Sequence, residues 1–169
     1  MPETALVIVV PEAEPLVSDW RAKYDWSGQR GVPAHITLLY PFVPTERVDD
    51  GLRRELRELF ASQPAFTFRL TRVARFPEVA WLAPEPSDPF ATLTELIVER
   101  FPDYPPYEGI HDEVIHHLTV AEGTGELQDK VEAALTPHLP IEANTNEVAL
   151  LAEDGTERWH RAQAFPLGG

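Results

Sequence analysis

His35-Ile36-Thr37-Leu38-Leu39-Tyr40 is the stretch on which the fold turns. Its aliphatic and aromatic residues, interrupted by one histidine and one threonine and closed by Pro41, read as a β-strand. Side chains at i and i+2 of a strand share a face. His35 and Thr37 therefore project together, while Ile36, Leu38 and Tyr40 are expected on the opposite side. The pattern recurs at His117-Leu118-Thr119-Val120, where His117 and Thr119 share one face and Leu118 and Val120 the other. Each strand has an imidazole and a hydroxyl in front and an apolar back. The second histidine follows the first by about half the chain, and each strand is followed by an amphipathic helix, which predicts duplication into two similar lobes.

The segments around these strands fill in the pattern. Ala5–Val10 is a continuous apolar run suited to a buried central strand, and Glu12–Trp26 carries Val17, Trp20 and Tyr24 on one helical face. Thr45 is placed to cap a helix to about Phe60, with Val48, Leu52, Leu56 and Leu59 as its apolar stripe. Phe66–Phe76, with a bulge, and Val79–Ala83 read as a hairpin. Asp88-Pro89 opens a helix with Phe90, Leu93, Ile97 and Phe101 on one side. Val114–Ala121 is the second histidine strand and Glu126–Leu135 the helix after it. Two last strands, about Glu147–Leu151 and Arg158–Phe165, flank the turn dipeptide Asp154-Gly155. Strands and helices are mixed without strict βαβ alternation, so the expected class is antiparallel α+β. Residues 1–169 are read as a single domain of two lobes.

The 169 residues include 28 acidic and 14 basic side chains, a net charge of −14. The excess is uneven: residues 1–75 balance, whereas residues 76–157 hold Arg100 and Lys130 as their only cations among 18 carboxylates. Such a field repels a phosphate backbone and argues against duplex binding. With 0 cysteines, thiolate metal sites, disulfides and cysteine nucleophiles are excluded. No apolar run approaches a membrane span, and the N-terminal residues do not read as a signal peptide. The expectation is a soluble, cytoplasmic monomer.

Paired imidazole–hydroxyl faces suit phosphodiester chemistry. One neutral histidine removes a proton from water or a hydroxyl, and a second, protonated, donates to the departing oxygen. Threonine hydroxyls can donate to phosphate oxygens that gain charge in the transition state.

These motifs and their flanks, VPAHITLLYPF at 32–42, WLAPEP at 81–86, RFPDYPPYEG at 100–109 and HHLTVAEG at 116–123, resemble the 2H phosphoesterase superfamily in its bacterial 2′-5′ RNA ligase-like branch. The resemblance covers nearly the whole chain. It implies a bilobal, pseudo-twofold α+β fold with an antiparallel sheet in each lobe and an active-site cleft between them. It also implies chemistry without metal or cofactor, opening 2′,3′-cyclic phosphates to 2′-phosphates or making and breaking 2′-5′ linkages. His35 and His117 carry over as the acid/base pair, with Thr37 and Thr119 as phosphate-binding hydroxyls. The substrate would be a nucleotide or RNA terminus. A non-catalytic nucleotide- or phosphoester-binding module of the same fold is the alternative. The branch has proline before the second motif histidine, and this chain has His116, whose parity points it away from the cleft, as a surface or strand-end residue.

Tyr107, Phe42 and Trp81 are candidates for stacking on a base, with core packing the simpler role for Trp81. Arg30, Arg75 and Arg161 stand near strand ends as possible phosphate partners. A metal site built on His111, Asp112 and His116 lacks the helical histidine spacing of zinc motifs, and His138 and His160 read as surface residues.

Overall fold

The computed structural model describes residues 2–109 and 114–168. Among the described residues, eight strands form two four-stranded sheets. The first has the order β2 (His35–Leu39), β1 (Thr4–Val9), β7 (Glu147–Glu153), β8 (Trp159–Pro166). The second has the order β5 (Leu118–Glu122), β4 (Val79–Glu85), β3 (Phe66–Phe76), β6 (Ile141–Thr145). Every pairing between these strands is antiparallel, so the α+β expectation holds. Each histidine motif lies on, or just ahead of, the edge strand of its sheet.

Among the described residues, four α-helices accompany the sheets: α1 (Glu14–Tyr24), α2 (Asp50–Ala61), α3 (Asp88–Arg100) and α4 (Gly125–Leu135). Among the described residues none is long and apolar enough to cross a membrane. α1 connects β1 to β2 yet packs against β5, and α3 connects β4 to β5 yet packs against β2. The exchange of helices holds the two edge strands near each other. One continuous core joins the backs of both sheets, with Ile36 and Leu38 from β2 meeting Leu118 and Val120 from β5 among Val17, Leu56, Phe90, Ile97 and Val131. The apolar backs of both motifs are therefore buried together, which turns their polar fronts outward.

Four local readings change. Thr45 does not cap a helix: its hydroxyl bonds to the Glu3 carbonyl, and the chain makes a short 3₁₀ turn over Thr45–Arg47. Asp49 caps α2 instead, its carboxylate accepting from Leu52 N–H at 2.8 Å. The second motif strand begins at Leu118, because Val114–His117 pair with no neighbouring strand. The sequence reading missed β6, a five-residue edge strand whose short alternation, IEANT, is too weak to stand out. Tyr40 is the fourth. The β1–β2 register skips Leu38, matching Thr37 with Val7 and Leu39 with Leu6. A skipped residue reverses the parity beyond it. Leu39 is thus buried with the back, and Tyr40 comes to the front among Ala5, Val7 and Trp159. The expected bulge in β3 is present between Leu70 and Val73.

Candidate active site

The loop ahead of β2 is tied down before His35 emerges from it. Asp25, at the end of α1, accepts from Gly28 N–H at 3.2 Å and from Arg21 Nε at 3.1 Å. The Gly28 position has no room for a side chain, since a Cβ there would lie 2.5 Å from the Arg21 carbonyl oxygen. Glu14 accepts from Ala34 N–H at 3.1 Å. His35 Nδ1 lies 2.8 Å from the Pro33 carbonyl oxygen. A carbonyl only accepts, so Nδ1 carries the hydrogen and Nε2 keeps the lone pair.

His117 repeats this arrangement, with Nδ1 2.6 Å from the carbonyl oxygen of Ile115, again two residues back. It too presents an unprotonated Nε2. Desolvation pushes His35 down to about 4, against the opposing pull of its Pro33 hydrogen bond. The field of His117 adds to the lowering, as does that of Arg21. The charge of His117, on the other sheet's edge, thus reaches His35 and disfavours its protonation. His117 is also lowered, chiefly by desolvation. The arrangement offers two neutral bases, either of which becomes an acid once an anion nearby favours its proton.

Thr37 stands beside His35, opposite Val7. Both line a cleft of about 400 Å³ together with Ala5, Val7, Trp26, Ser27, Val32, Tyr40, Leu151 and Trp159. Thr119 stands opposite Trp81 in the β4–β5 register. The sequence-expected hydroxyls therefore lie on the fronts of their strands, each half-buried.

The aromatic candidates separate. Trp81, 7% exposed, packs on Phe76 at 4.9 Å between ring centroids and meets the His117 ring edge-on at 5.7 Å. Phe76 makes a second edge contact to His117 at 5.1 Å. Phe42 is buried, with its ring against Phe101 and Tyr104, and lines a separate cavity with Tyr104 and Pro105. Tyr107 is half-buried in a left-handed backbone conformation, and its N–H donates to the Tyr40 carbonyl at 2.6 Å. Burial raises its phenol above the ordinary value.

Two rings that the sequence reading passed over line the cleft instead. Trp26 is 44% exposed, with the Arg30 guanidinium 4.1 Å above its ring. Trp159 is buried, and its indole N–H has no hydrogen-bond partner among the described residues. The usable signal for Trp159 was the Asp154-Gly155 hairpin, which sets it across from Glu153. Trp26 lay at the predicted end of a helix and gave no periodic signal.

Of the candidate arginines, Arg75 is paired with Asp129 and Glu132, and Arg161 with Glu147. Arg30 stays at the rim of the cleft. His116 is not a surface residue. It points away from the front, as its parity requires, but is 7% exposed, with Nε2 2.8 Å from Thr94 Oγ1. His138 and His160 are exposed. His111 and Asp112 lie outside the described residues, among which no cluster of three or more metal-ligating side chains occurs.

The model of the 2′-5′ RNA ligase superfamily matches residues 9–157 of this chain, both motifs included. The chain belongs to that superfamily. A Geobacillus kaustophilus protein named as a phosphoesterase is 31% identical over 171 residues, covering 97% of this chain and 95% of its own. Escherichia coli LigT, solved in complex with 3′-AMP, shares the fold with a TM-score of 0.64 at 18% identity, over 100% of both chains. A Thermus thermophilus protein gives a TM-score of 0.65 at 20% identity over 99% of this chain and 98% of its own. Further LigT structures hold ATP and NADP+. For a 2H phosphoesterase, the twin Nδ1-to-carbonyl bonds are the informative local feature: they orient both imidazoles in the same way in unlike surroundings.

Proposed function

We propose that this member of the superfamily is a phosphodiesterase that opens 2′,3′-cyclic phosphates, or cleaves 2′-5′ linkages, on a nucleotide or RNA terminus by two-histidine acid/base catalysis. The observation that carries the reading is the matched pair His35 and His117, each holding Nδ1–H on a backbone carbonyl, with His35 in the field of His117. The whole chain is read as one domain whose two lobes each supply half of the reaction.

His35, pushed down to about 4, serves as the base. Its Nε2 takes a proton from water as the water oxygen bonds to phosphorus. The bond from phosphorus to the 3′ oxygen breaks, and protonated His117 gives its Nε2 proton to that oxygen. The products are a 2′-phosphate and a free 3′-hydroxyl. His117 acquires its proton when the anionic phosphodiester binds, since a neighbouring negative charge favours the imidazolium. Thr37 and Thr119 donate to the two non-bridging oxygens. The apolar cleft of about 400 Å³ takes the nucleobase, with Trp26 as its exposed stacking face and Tyr40 and Trp159 as walls. The alternative, a phosphoester-binding module, differs only in lacking turnover.

The test is a panel of 2′,3′-cyclic nucleotides, oligonucleotides ending in cyclic phosphate, and 2′-5′ dinucleotides, run with EDTA. The reading expects 2′-phosphate product with chelator present, because imidazoles carry both proton transfers. It also expects a shallow salt dependence, since a terminal phosphoester engages few phosphates. Tight binding with no product across the panel selects the binding module.

A further inference from the structure

A hydrogen-bonded chain that none of the chemistry above uses runs behind the cleft. Thr94 Oγ1, on α3, donates to the Leu38 carbonyl at 2.8 Å. Leu38 is the residue skipped in the β1–β2 register, so no β1 residue stands opposite it. A hydroxyl has one hydrogen, and Thr94 has committed it. The 2.8 Å contact between Thr94 Oγ1 and His116 Nε2 is therefore a donation from His116. Its imidazole is neutral, with hydrogen on Nε2, and burial lowers it to about 4, in keeping with that state. The ring also lies against Phe90, one turn before Thr94 on the same face of α3, at 6.0 Å between centroids.

The ends of this chain matter more than its middle. Leu38 directly follows Thr37, and His116 directly precedes His117. The link thus begins at the residue after Thr37 and ends at the residue before His117. His117 sits outside the regular ladder, since β5 starts only at Leu118. The backbone that carries it therefore depends on side-chain anchors rather than on sheet pairing.

We propose that His116 is a positioning residue: through Thr94 it pins the backbone of His117 to the β2 backbone beside Thr37 and so fixes the spacing of the two acid/base groups. It touches no substrate. Its kinetic consequence rests on the reading of the site as a phosphodiesterase, whereas its structural consequence does not.

The experiment has two arms on the full-length chain. Nitrogen-15 histidine NMR compares wild type with Thr94→Val, which removes the hydroxyl in an isosteric side chain, Thr94→Ser, which keeps it, and His116→Gln, which keeps a donor amide. The expected result is that Thr94→Val shifts the His117 ring resonances and weakens their response to the titration of His35, while Thr94→Ser leaves both as in wild type. Kinetics on the best cyclic phosphate should then show kcat falling roughly tenfold to a hundredfold in Thr94→Val with KM within about twofold, since small misplacement of reacting groups costs on that order. Thr94→Ser and His116→Gln should recover most of it.

A folded Thr94→Val protein with wild-type His117 resonances and kcat overturns the proposal, as does a loss confined to KM. If wild type turns over no substrate, the phosphodiesterase reading fails, and the NMR arm still decides whether the link orients His117.

Discussion

The two fronts of this molecule carry the same motif and fill the space around it differently. On the first, His35 and Thr37 open onto a cleft of about 400 Å³ walled by Trp26, Tyr40 and Trp159. On the second, Phe76 and Trp81 pack directly against the His117 ring. The local device is identical, an Nδ1–H held by a carbonyl two residues back. The part that orients a nitrogen is the same on both fronts, while the neighbouring side chains leave an open apolar cleft beside His35 and pack aromatic rings against His117. On the proposed reading, a repeated motif meets a substrate with two unlike ends.

The largest expected effects test whether the halves have separate roles. His35→Ala and His117→Ala should each lower kcat/KM on a cyclic nucleotide by roughly 10²–10⁴. With a nitrophenyl phosphodiester, whose leaving group departs without a proton, the His117→Ala loss should shrink sharply while the His35→Ala loss stays. Equal losses on both substrates would break the assignment of base to His35 and acid to His117.

The pH dependence comes next. In the free protein both imidazoles are lowered from the ordinary 6.5, His35 to about 4. The state with one proton shared between them therefore prevails on the acid side of 6.5. The kcat/KM profile, which reports the free enzyme, should peak below that value and fall about tenfold per unit on its alkaline limb. An optimum above pH 7 would mean that one imidazole is not desolvated. The same shifts bear on stability. The unfolded chain binds more protons than the folded one between 6.5 and 4, so stability present above 6.5 drains away as pH falls through that window. Urea midpoints should decline from pH 6.5 to 5.5, before most carboxylates titrate.

The smallest effect separates the aromatic rings. Trp26→Ala should raise KM for an adenosine cyclic phosphate roughly tenfold, in the range of one lost stacking contact. It should leave KM for a base-free ribose cyclic phosphate unchanged. Trp81→Ala should spare KM for both and act on kcat. A KM loss at Trp81 would place the base on the second front.

Much of this was legible in the chain, for particular reasons. The period-2 alternation in HITL and HLTV fixed which residues face front. Ile36, Leu38, Leu118 and Val120 are buried as that alternation requires. Tyr40 escaped the reading because a bulge is a pairing event between two strands, and neither strand alone reveals where a residue will be skipped. His116 escaped for a related reason: parity set its direction, and only α3, folded back over β2, decided that this direction leads to Thr94 rather than to water.

The sequence by itself determined which residues share each front, because strand periodicity couples neighbours along the chain to a shared face. It also determined the antiparallel α+β class, which is a property of local pattern and order. Only the tertiary structure decided that the charge of His117 reaches His35, that Trp26 and Trp159 wall the cleft while Phe42 is packed away, and that a buried histidine is bonded to the helix behind the motifs. Those are contacts between residues remote along the chain. Their geometry follows from how two sheets share one core, which no window of sequence contains.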